Sequence, residues 1–430
     1  MPRLLYSLVL YLLLPFIPLR LLWRARKQPE YLSHWGERFG FYRAAAPQPL
    51  IWIHAVSVGE THAAAPLIDA LLARYPTHRI LLTCMTPTGR AAGRQLYGER
   101  VTQAYLPYDY PGAVRRFLTH FQPAFGLLME TELWPNLIAA CKQRGVPLAL
   151  INARLSDKSA RGYARIGSLT REALKNLPLI CAQTAADAER LKQLGATHVS
   201  ITGNLKFDVA PPADVDDQAK HLRALWGNDR RALLAASTRE GEEALLLDAL
   251  IPESNYLLVI VPRHPQRFDD VATLLTARGI PYQRRSENAP IRAETRVVLG
   301  DSMGEMFAYY GAADVALIGG SLLPFGGQNL IEACAMGVPV ILGPHTYNFT
   351  QATKDAFAAG AALQVVDASA ALVQAQRLLE DALMKKQMGK AALEFAAAHR
   401  GAVGKTMATI EERLKIVSHE LTRIPTNKTK

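Results

Sequence analysis

The sequence predicts an α/β fold: two Rossmann-like, doubly wound domains, each built on a parallel sheet. Three observations lead there. Short apolar runs alternate with helical segments from Leu50 onward, the pattern of repeated βαβ units. The alternation comes in two series of similar length, and a polar stretch stiffened by proline separates them. The chain has 430 residues, enough for two or three domains at ~150 residues each. It is 49% hydrophobic and 20% charged, as expected of a chain that buries real cores. That composition excludes a disordered chain, a collagen-like repeat and a polytopic membrane protein.

In the first series the expected strands are Leu50–Val56, Ile80–Thr83, Phe125–Met129, Pro147–Ile151, Leu179–Ala182 and Val199–Thr202. Segments between them, such as 61–74, carry apolar residues at helical spacing (Leu67, Ile68, Leu71, Leu72). The second series comprises Ala232–Ala236, Tyr256–Val261, Val297–Leu299, Val315–Ile318 and Val338–Leu342. Asp208-Val209-Ala210-Pro211-Pro212-Ala213 reads as the linker. Two such domains are expected to face a cleft, with ligands at the carboxyl ends of the strands.

Before the first strand, Leu4 to Leu19 is free of charge and is followed by Arg20, Arg24, Arg26 and Lys27. As one helix this run would span roughly 24 Å, slightly short of a ~30 Å hydrocarbon core. Snorkelling of Arg20 would extend it to Trp23. Pro15 and Pro18 weaken a straight helix, so a shallow insertion stays open. The basic cluster follows the run, which keeps the next domain cytoplasmic. A cleaved signal peptide is the competing reading, but its basic residues would lie on the wrong flank, and the only small-residue site is Ala44 to Ala46. Cys84, Cys141, Cys181 and Cys334 lie far apart in sequence and read as buried apolar residues of a reducing compartment.

Several strand ends carry chemistry. His54-Ala55-Val56-Ser57-Val58-Gly59-Glu60 leads from the first strand into a helix. Glu60 is either a general base or a first-turn partner of the helix dipole. Met129-Glu130-Thr131-Glu132-Leu133-Trp134-Pro135-Asn136 places two acids after a strand, beyond what a helix start with Pro135 requires. Lys206, in Gly203-Asn204-Leu205-Lys206-Phe207-Asp208, could meet a carboxylate or phosphate, or be a solvated lysine. Ser237-Thr238-Arg239-Glu240 and Ser302-Met303-Gly304-Glu305 fit the capping-box pattern and read first as helix starts. Arg263, flanked by Pro262 and His264-Pro265, is either a phosphate ligand or a surface arginine. Most specific is Gly319 to Glu332, where glycine pairs precede Gln328-Asn329-Leu330-Ile331-Glu332. Backbone N–H groups there could approach a phosphate, and Glu332 could bind ribose hydroxyls. No dinucleotide fingerprint and no His-Glu-x-x-His pattern occur, and the one Asp-x-Asp falls in the linker. A metal-held nucleotide is not indicated.

Taken together, SVGE, ETELWPN, GNLKFD, ASTREGEE, PRHPQRF, DSMGEM, GGSLLPFGGQNLIE and GPHTYNF, in that order behind the N-terminal anchor, cover nearly the whole chain. This set resembles the 3-deoxy-D-manno-octulosonic acid (Kdo) transferases of lipopolysaccharide synthesis, which are GT-B glycosyltransferases. The resemblance implies metal-independent, inverting transfer of Kdo from CMP-Kdo to the lipid A precursor (lipid IVA), without a cofactor, at the cytoplasmic face of the inner membrane. It implies that Glu60 is the proton acceptor and that Glu130 and Lys206 stabilise the transition state. CMP contacts fall on Pro262 and Arg263, on Met303, Gly304 and Glu305, and on Asn329, Leu330, Ile331 and Glu332. Many members carry His where Gln328 stands and Pro where Leu330 stands. The implied layout is a membrane anchor over 1–30 and an acceptor-binding α/β domain over 48–208. A CMP-Kdo-binding α/β domain follows over 214–420, and its last helix could return to the N-terminal domain.

Two rivals remain at this stage. Another GT-B enzyme, such as a sugar-nucleotide 2-epimerase, should lack the anchor. A membrane-tethered nucleic-acid-binding protein should show clustered basic residues with interleaved aromatics, and only isolated pairs such as Arg115-Arg116 occur. The net charge of +11 does not rescue it. Arg3, Arg20, Arg24, Arg26 and Lys27 at one end and Arg423, Lys428 and Lys430 at the other carry most of that excess. The charge therefore points to an anionic membrane surface rather than to nucleic acid.

Overall fold

The computed structural model describes residues 2–26, 28–43, 49–208, 211–250 and 255–414. Lys27, Ala44 to Ala46, residues 209–210 of the expected linker and the basic residues Arg423, Lys428 and Lys430 lie outside them. The chain forms two compact units. The first takes the described residues up to Asp208 and again those from Gly401; the second takes those between.

In the first unit, β1 (Leu50–His54), β2 (Arg79–Cys84), β3 (Val101–Tyr105), β4 (Phe125–Met129), β5 (Leu148–Ala153), β6 (Leu179–Ala182) and β7 (Val199–Ile201) form one sheet. Their order is β3-β2-β1-β4-β5-β6-β7, with parallel pairing throughout. Parallel strands need long crossovers, which helices supply, so both faces are covered. β1, β4 and β5 are buried along their whole length. Alternate residues feed two cores: Leu50 and Trp52 on one face, Ile51 and Ile53 on the other. Gly126 in β4 leaves room for the Trp52 ring, since a Cβ there would stand 2.5 Å from Cε3. The sheet reverses its winding between β1 and β4, which opens a crevice at their carboxyl ends.

The second unit repeats the plan. β8 (Ala232–Thr238), β9 (Leu257–Pro262), β10 (Tyr282–Arg284), β11 (Val297–Leu299), β12 (Val315–Ile318), β13 (Val340–Leu342) and β14 (Ala362–Gln364) lie in the order β10-β11-β9-β8-β12-β13-β14. All pairs are parallel, and the winding reverses between β8 and β12. The four cysteines are free and buried.

The last helix among the described residues, Ala402–Arg413, packs on the first unit. Ala402 and Ile410 join its core, and Glu411 accepts a hydrogen bond of 2.6 Å from Arg74 Nε.

The N-terminal run departs from the single anchor helix expected. It forms α1 (Pro2–Leu13) and α2 (Phe16–Ala25), bent by 56° at the break between them. Pro15 has no N–H to continue the ladder, so Leu14 N and Ile17 N fall back on short-range bonds to Tyr11 O and Leu14 O. Among the described residues, no single helix is long and apolar enough to cross a membrane. The polarity of α1 is the reverse of an ordinary surface helix. Leu4 and Leu12 are 73% and 67% exposed, while Ser7 is buried. Ser7 Oγ donates to Asn136 Oδ1 at 3.1 Å, and Tyr110 donates to Leu10 O at 2.8 Å.

Candidate active site

The first crevice is assembled from the loops that follow β1 and β4. Ser57 caps α3 (Val58–Ala63): its Oγ accepts from Glu60 N at 3.4 Å and donates to Glu60 Oε1 at 3.0 Å. Val56 N donates to Glu60 Oε2 at 2.8 Å. The helix-start role expected of Glu60 is thus met within its own loop. The carboxyl is fixed by its own loop and only 9% of Glu60 is exposed. Burial pushes Glu60 up to about 7, against the pull of Val56 N–H, and the charges of Glu130 and Glu132 add to the push. A carboxylate poised near neutrality suits general-base work.

Glu130 continues β4 for one residue, its N–H donating to Ile151 O at 2.9 Å. Its φ of 56° lies in the left-handed region, rare for a non-glycine residue. Lys206 meets it, with Nζ 3.0 Å from Oε1. The lysine sits on a short 3-10 turn, Leu205–Phe207, that packs beside α3. Asn204 Oδ1 caps the turn at Lys206 N (3.0 Å), and Asn152 Oδ1 accepts from Leu205 N (3.0 Å). Asn152, fully buried with φ 51°, sits where the register of β5 against β6 shifts. Sequence reasoning missed it; its signal was an asparagine inside the apolar run Leu148–Ala153.

Two neighbours complete this crevice. Glu132 Oε2 accepts from Trp134 Nε1 at 2.7 Å, and burial raises its pKa. His54, at the end of β1, is fully buried, its Nδ1 2.9 Å from Thr83 Oγ1 and 3.1 Å from Thr83 O. Burial lowers it to about 3, so this histidine stays neutral. The helix Pro135–Gln143 that follows has its N-terminus capped from afar: Asp109 accepts from Asn136 N (2.9 Å) and Leu137 N (2.8 Å).

In the second unit the loops after β11, β9, β8 and β12 line one edge of the sheet. Pro262 ends β9 and Arg263 projects from it, exposed. Glu332 is largely buried, its Oε1 accepting from Asn329 Nδ2 at 3.0 Å, and it feels the Arg263 charge. Asn329 Oδ1 accepts from Ile331 N at 3.0 Å. Leu330 and Ile331 turn their side chains into the core. Met303 is 58% exposed, Gly304 takes φ 84°, and Glu305 accepts from Ser302 Oγ and from Arg285 Nη2 at 3.0 Å.

Neither expected capping box in this unit forms. Ser237 adopts φ 56° in a bulge at the end of β8, and the next helix starts at Glu242 behind Gly241, with no side-chain cap. Glu305 sits at the cap of its helix without a side-chain bond to it. The organising carboxylate is Glu242, 1% exposed. It accepts from Arg239 N (2.9 Å), Gly320 N (2.6 Å), Leu322 N (2.9 Å) and Leu323 N (3.4 Å). It thus ties the loop after β8 to the loop after β12. Among the described residues, no group of three or more His, Cys, Asp or Glu is placed to hold a metal ion.

Residues 33–209 match the family model of 3-deoxy-D-manno-octulosonic-acid transferase, and residues 279–395 match that of glycosyl transferases group 1. A 3-deoxy-D-manno-octulosonic acid transferase of Bordetella pertussis is 47% identical over 96% of this chain and 100% of its own length. The chain belongs to the Kdo transferase family. A second Kdo transferase, from Haemophilus influenzae, is 38% identical over 90% of this chain and 93% of its own. Solved structures share the two-domain fold at low identity. A UDP-GlcNAc 2-epimerase from Neisseria meningitidis covers 85% of this chain with a TM-score of 0.53 at 16% identity, and all of that chain is covered. A glycosyltransferase from Rickettsia africae covers 86% at TM-score 0.55 and 13% identity, over 99% of that chain. Those two show the fold alone. Kdo transferases are glycosyltransferases, and the epimerase reading is not favoured.

Proposed function

We propose that this chain transfers Kdo from CMP-Kdo to the lipid A precursor lipid IVA, with inversion and without metal, at the cytoplasmic face of the inner membrane. The observation that carries the reading is the convergence, at the β1/β4 crevice, of a near-neutral Glu60 with the Lys206–Glu130 pair. Glu60 takes the proton of an acceptor sugar hydroxyl as its oxygen attacks the anomeric carbon from the face opposite the leaving group. The anomeric C–O bond breaks and CMP departs with the electron pair. Lys206 offsets the negative charge that builds during transfer, and Glu130 holds the ammonium in place. The second unit binds CMP through Pro262 and Arg263, Met303 to Glu305, and Asn329 to Glu332, with Arg263 facing the phosphate.

The membrane part of the reading is supported by the outward leucines of α1 and by the basic residues Arg20, Arg24 and Arg26 on and after α2. The bent pair suits an in-plane anchor better than a spanning helix. Arg3, Arg115 and Arg144 also line a cavity of about 520 Å³ beside α1, where an acceptor bearing phosphates would find cations. The test is mass analysis of the product after incubating purified protein with CMP-Kdo and lipid IVA. An adduct one Kdo heavier than the acceptor is expected from the wild type and not from Glu60→Ala. Equal turnover by the variant removes Glu60 from the mechanism.

A further inference from the structure

Five arginines of the second unit have carboxylate partners: Arg223 with Asp314, Arg267 with Glu243, Arg278 with Asp248, Arg284 with Asp269 and Arg285 with Glu305. Arg239 does not: among the described residues no carboxylate pairs with its guanidinium. Nothing about its setting suggests a stray surface residue. Its N–H is anchored on buried Glu242, and its guanidinium lies over the Phe325 ring at 4.7 Å. Its Nη1 stands 3.4 Å from His264 Nε2. Its stem shares the space over Gly320 with Gln328: a Cβ on that glycine would meet Gln328 Nε2 at 3.1 Å and Arg239 Cγ at 3.4 Å. A planar cation stacked on an aromatic face keeps its edge N–H groups available for a bidentate anion.

Arg263, a second cation of this edge, has the charge of Glu332 to face. Both arginines bear on His264, whose pKa is lowered by burial first and then by Arg239 and Arg263. The two loops are joined where Arg263 N donates to Thr238 O at 3.0 Å, and cations on adjacent loops, one after β8 and one after β9, suit a ligand with two anionic groups a few bonds apart. A CMP-linked 2-keto sugar acid has that form, because its anomeric carbon bears both the phosphate ester and the carboxylate.

We infer that Arg239, resting on Phe325 with Gln328 beside it, is the specificity-determining residue that binds the carboxylate of the donor sugar, leaving Arg263 to the phosphate. The inference rests on the donor proposed above. It separates CMP-Kdo from CMP: both carry the phosphate and only the first carries the sugar carboxylate.

The test compares KM for CMP-Kdo with the inhibition constant of CMP, in the full-length protein. Arg239→Ala should raise KM by about ten-fold or more, the weight of a charge-assisted hydrogen bond, and leave CMP inhibition unchanged. Arg239→Lys should recover part of the loss, because charge is kept and the fork is lost. Arg263→Ala should weaken both ligands. Phe325→Leu should follow Arg239→Ala at smaller amplitude. If Arg239→Ala melts early, the same ratio is read in Arg239→Gln. Equal weakening of CMP and CMP-Kdo in the Arg239 variants would overturn the assignment, and so would no change in either. A wild type that binds CMP yet turns over no CMP-Kdo defeats the donor reading itself, and this inference with it. That outcome is seen before any variant is made.

Discussion

Lys206 Nζ stands 3.0 Å from Glu130 Oε1, although 76 residues separate the two in sequence. Both side chains are partly exposed, so the pair contributes little to stability. Its geometry is nonetheless over-determined: Asn204 and Asn152 fix the lysine's turn, and a left-handed backbone sets Glu130. A strained residue held by its surroundings is the usual mark of a working site. Lys206→Met and Glu130→Gln should each lower kcat by roughly 10²-fold, with the double variant no worse than Lys206→Met, because the two act as a unit. Additive losses would show that they act separately. Melting temperatures should move little.

Glu60→Gln should reduce kcat by about 10²–10⁴-fold, the ordinary weight of a general base, without weakening CMP. The same change should stabilise the fold at alkaline pH. The carboxyl titrates near 7 in the native state, above its ordinary 4.5. As pH rises from 4.5 to 7 the unfolded chain gives up this proton first, so native stability falls across that window. Glu60→Gln escapes the loss. Its melting temperature should match the wild type near pH 4.5 and exceed it above pH 7, as calorimetry at both values would show.

A base that must be ionised makes kcat/KM rise through about pH 7, where Glu60 titrates. Glu132 contributes to holding that value up. Glu132→Gln should therefore shift the ascending limb of the profile to lower pH. An unmoved limb would assign the titration to another group.

Glu242 accepts four backbone N–H groups from two loops. Glu242→Ala leaves these donors buried without a partner, at a cost of about 3 kcal/mol or more. CMP binding should be lost even where the protein is still folded, as titration calorimetry below the melting point would reveal. Glu242→Gln should fare little better, since its NH₂ would face N–H groups.

On α1, Leu4 and Leu12 point outward. Leu4→Glu with Leu12→Glu should abolish co-sedimentation with phosphatidylglycerol vesicles while leaving the melting temperature unchanged. Retained binding would move the membrane contact elsewhere.

Much of this architecture was legible in the sequence, because strands buried on both faces of a parallel sheet read as unbroken apolar runs. The strands that escaped, β3, β10 and β14, all lie at sheet edges. Val101-Thr102-Gln103-Ala104-Tyr105 and Tyr282-Gln283-Arg284 carry polar residues there, which weakens the apolar signal. Glu60, Glu130 and Lys206 were visible as unusual residues at strand ends. Their supports were not: Asn152 and Asp109 act across long stretches of chain, and no local pattern reports such bonds. Glu242 was hidden by its neighbours, since Ser237 and Glu240 mimic a helix cap that the bulge at Ser237 prevents. Pro15 did announce the break between α1 and α2, although it gave no sign that Ser7 would face inward and the leucines outward.

Asp208 ends the first unit's opening stretch, and its carboxylate accepts from Gly401 N and Val403 N as the chain re-enters that unit. The exit and the return thus meet at one residue, which makes the second unit an insertion within the first. During synthesis the second unit is complete once Arg400 has left the ribosome, whereas the first, begun earlier, waits for its closing helix. A short Gly–Ser bridge from Asp208 to Gly401 should accordingly yield the first unit as a self-sufficient protein, while a chain stopped at Asp208 leaves the core around Leu67 and Ile68 uncovered.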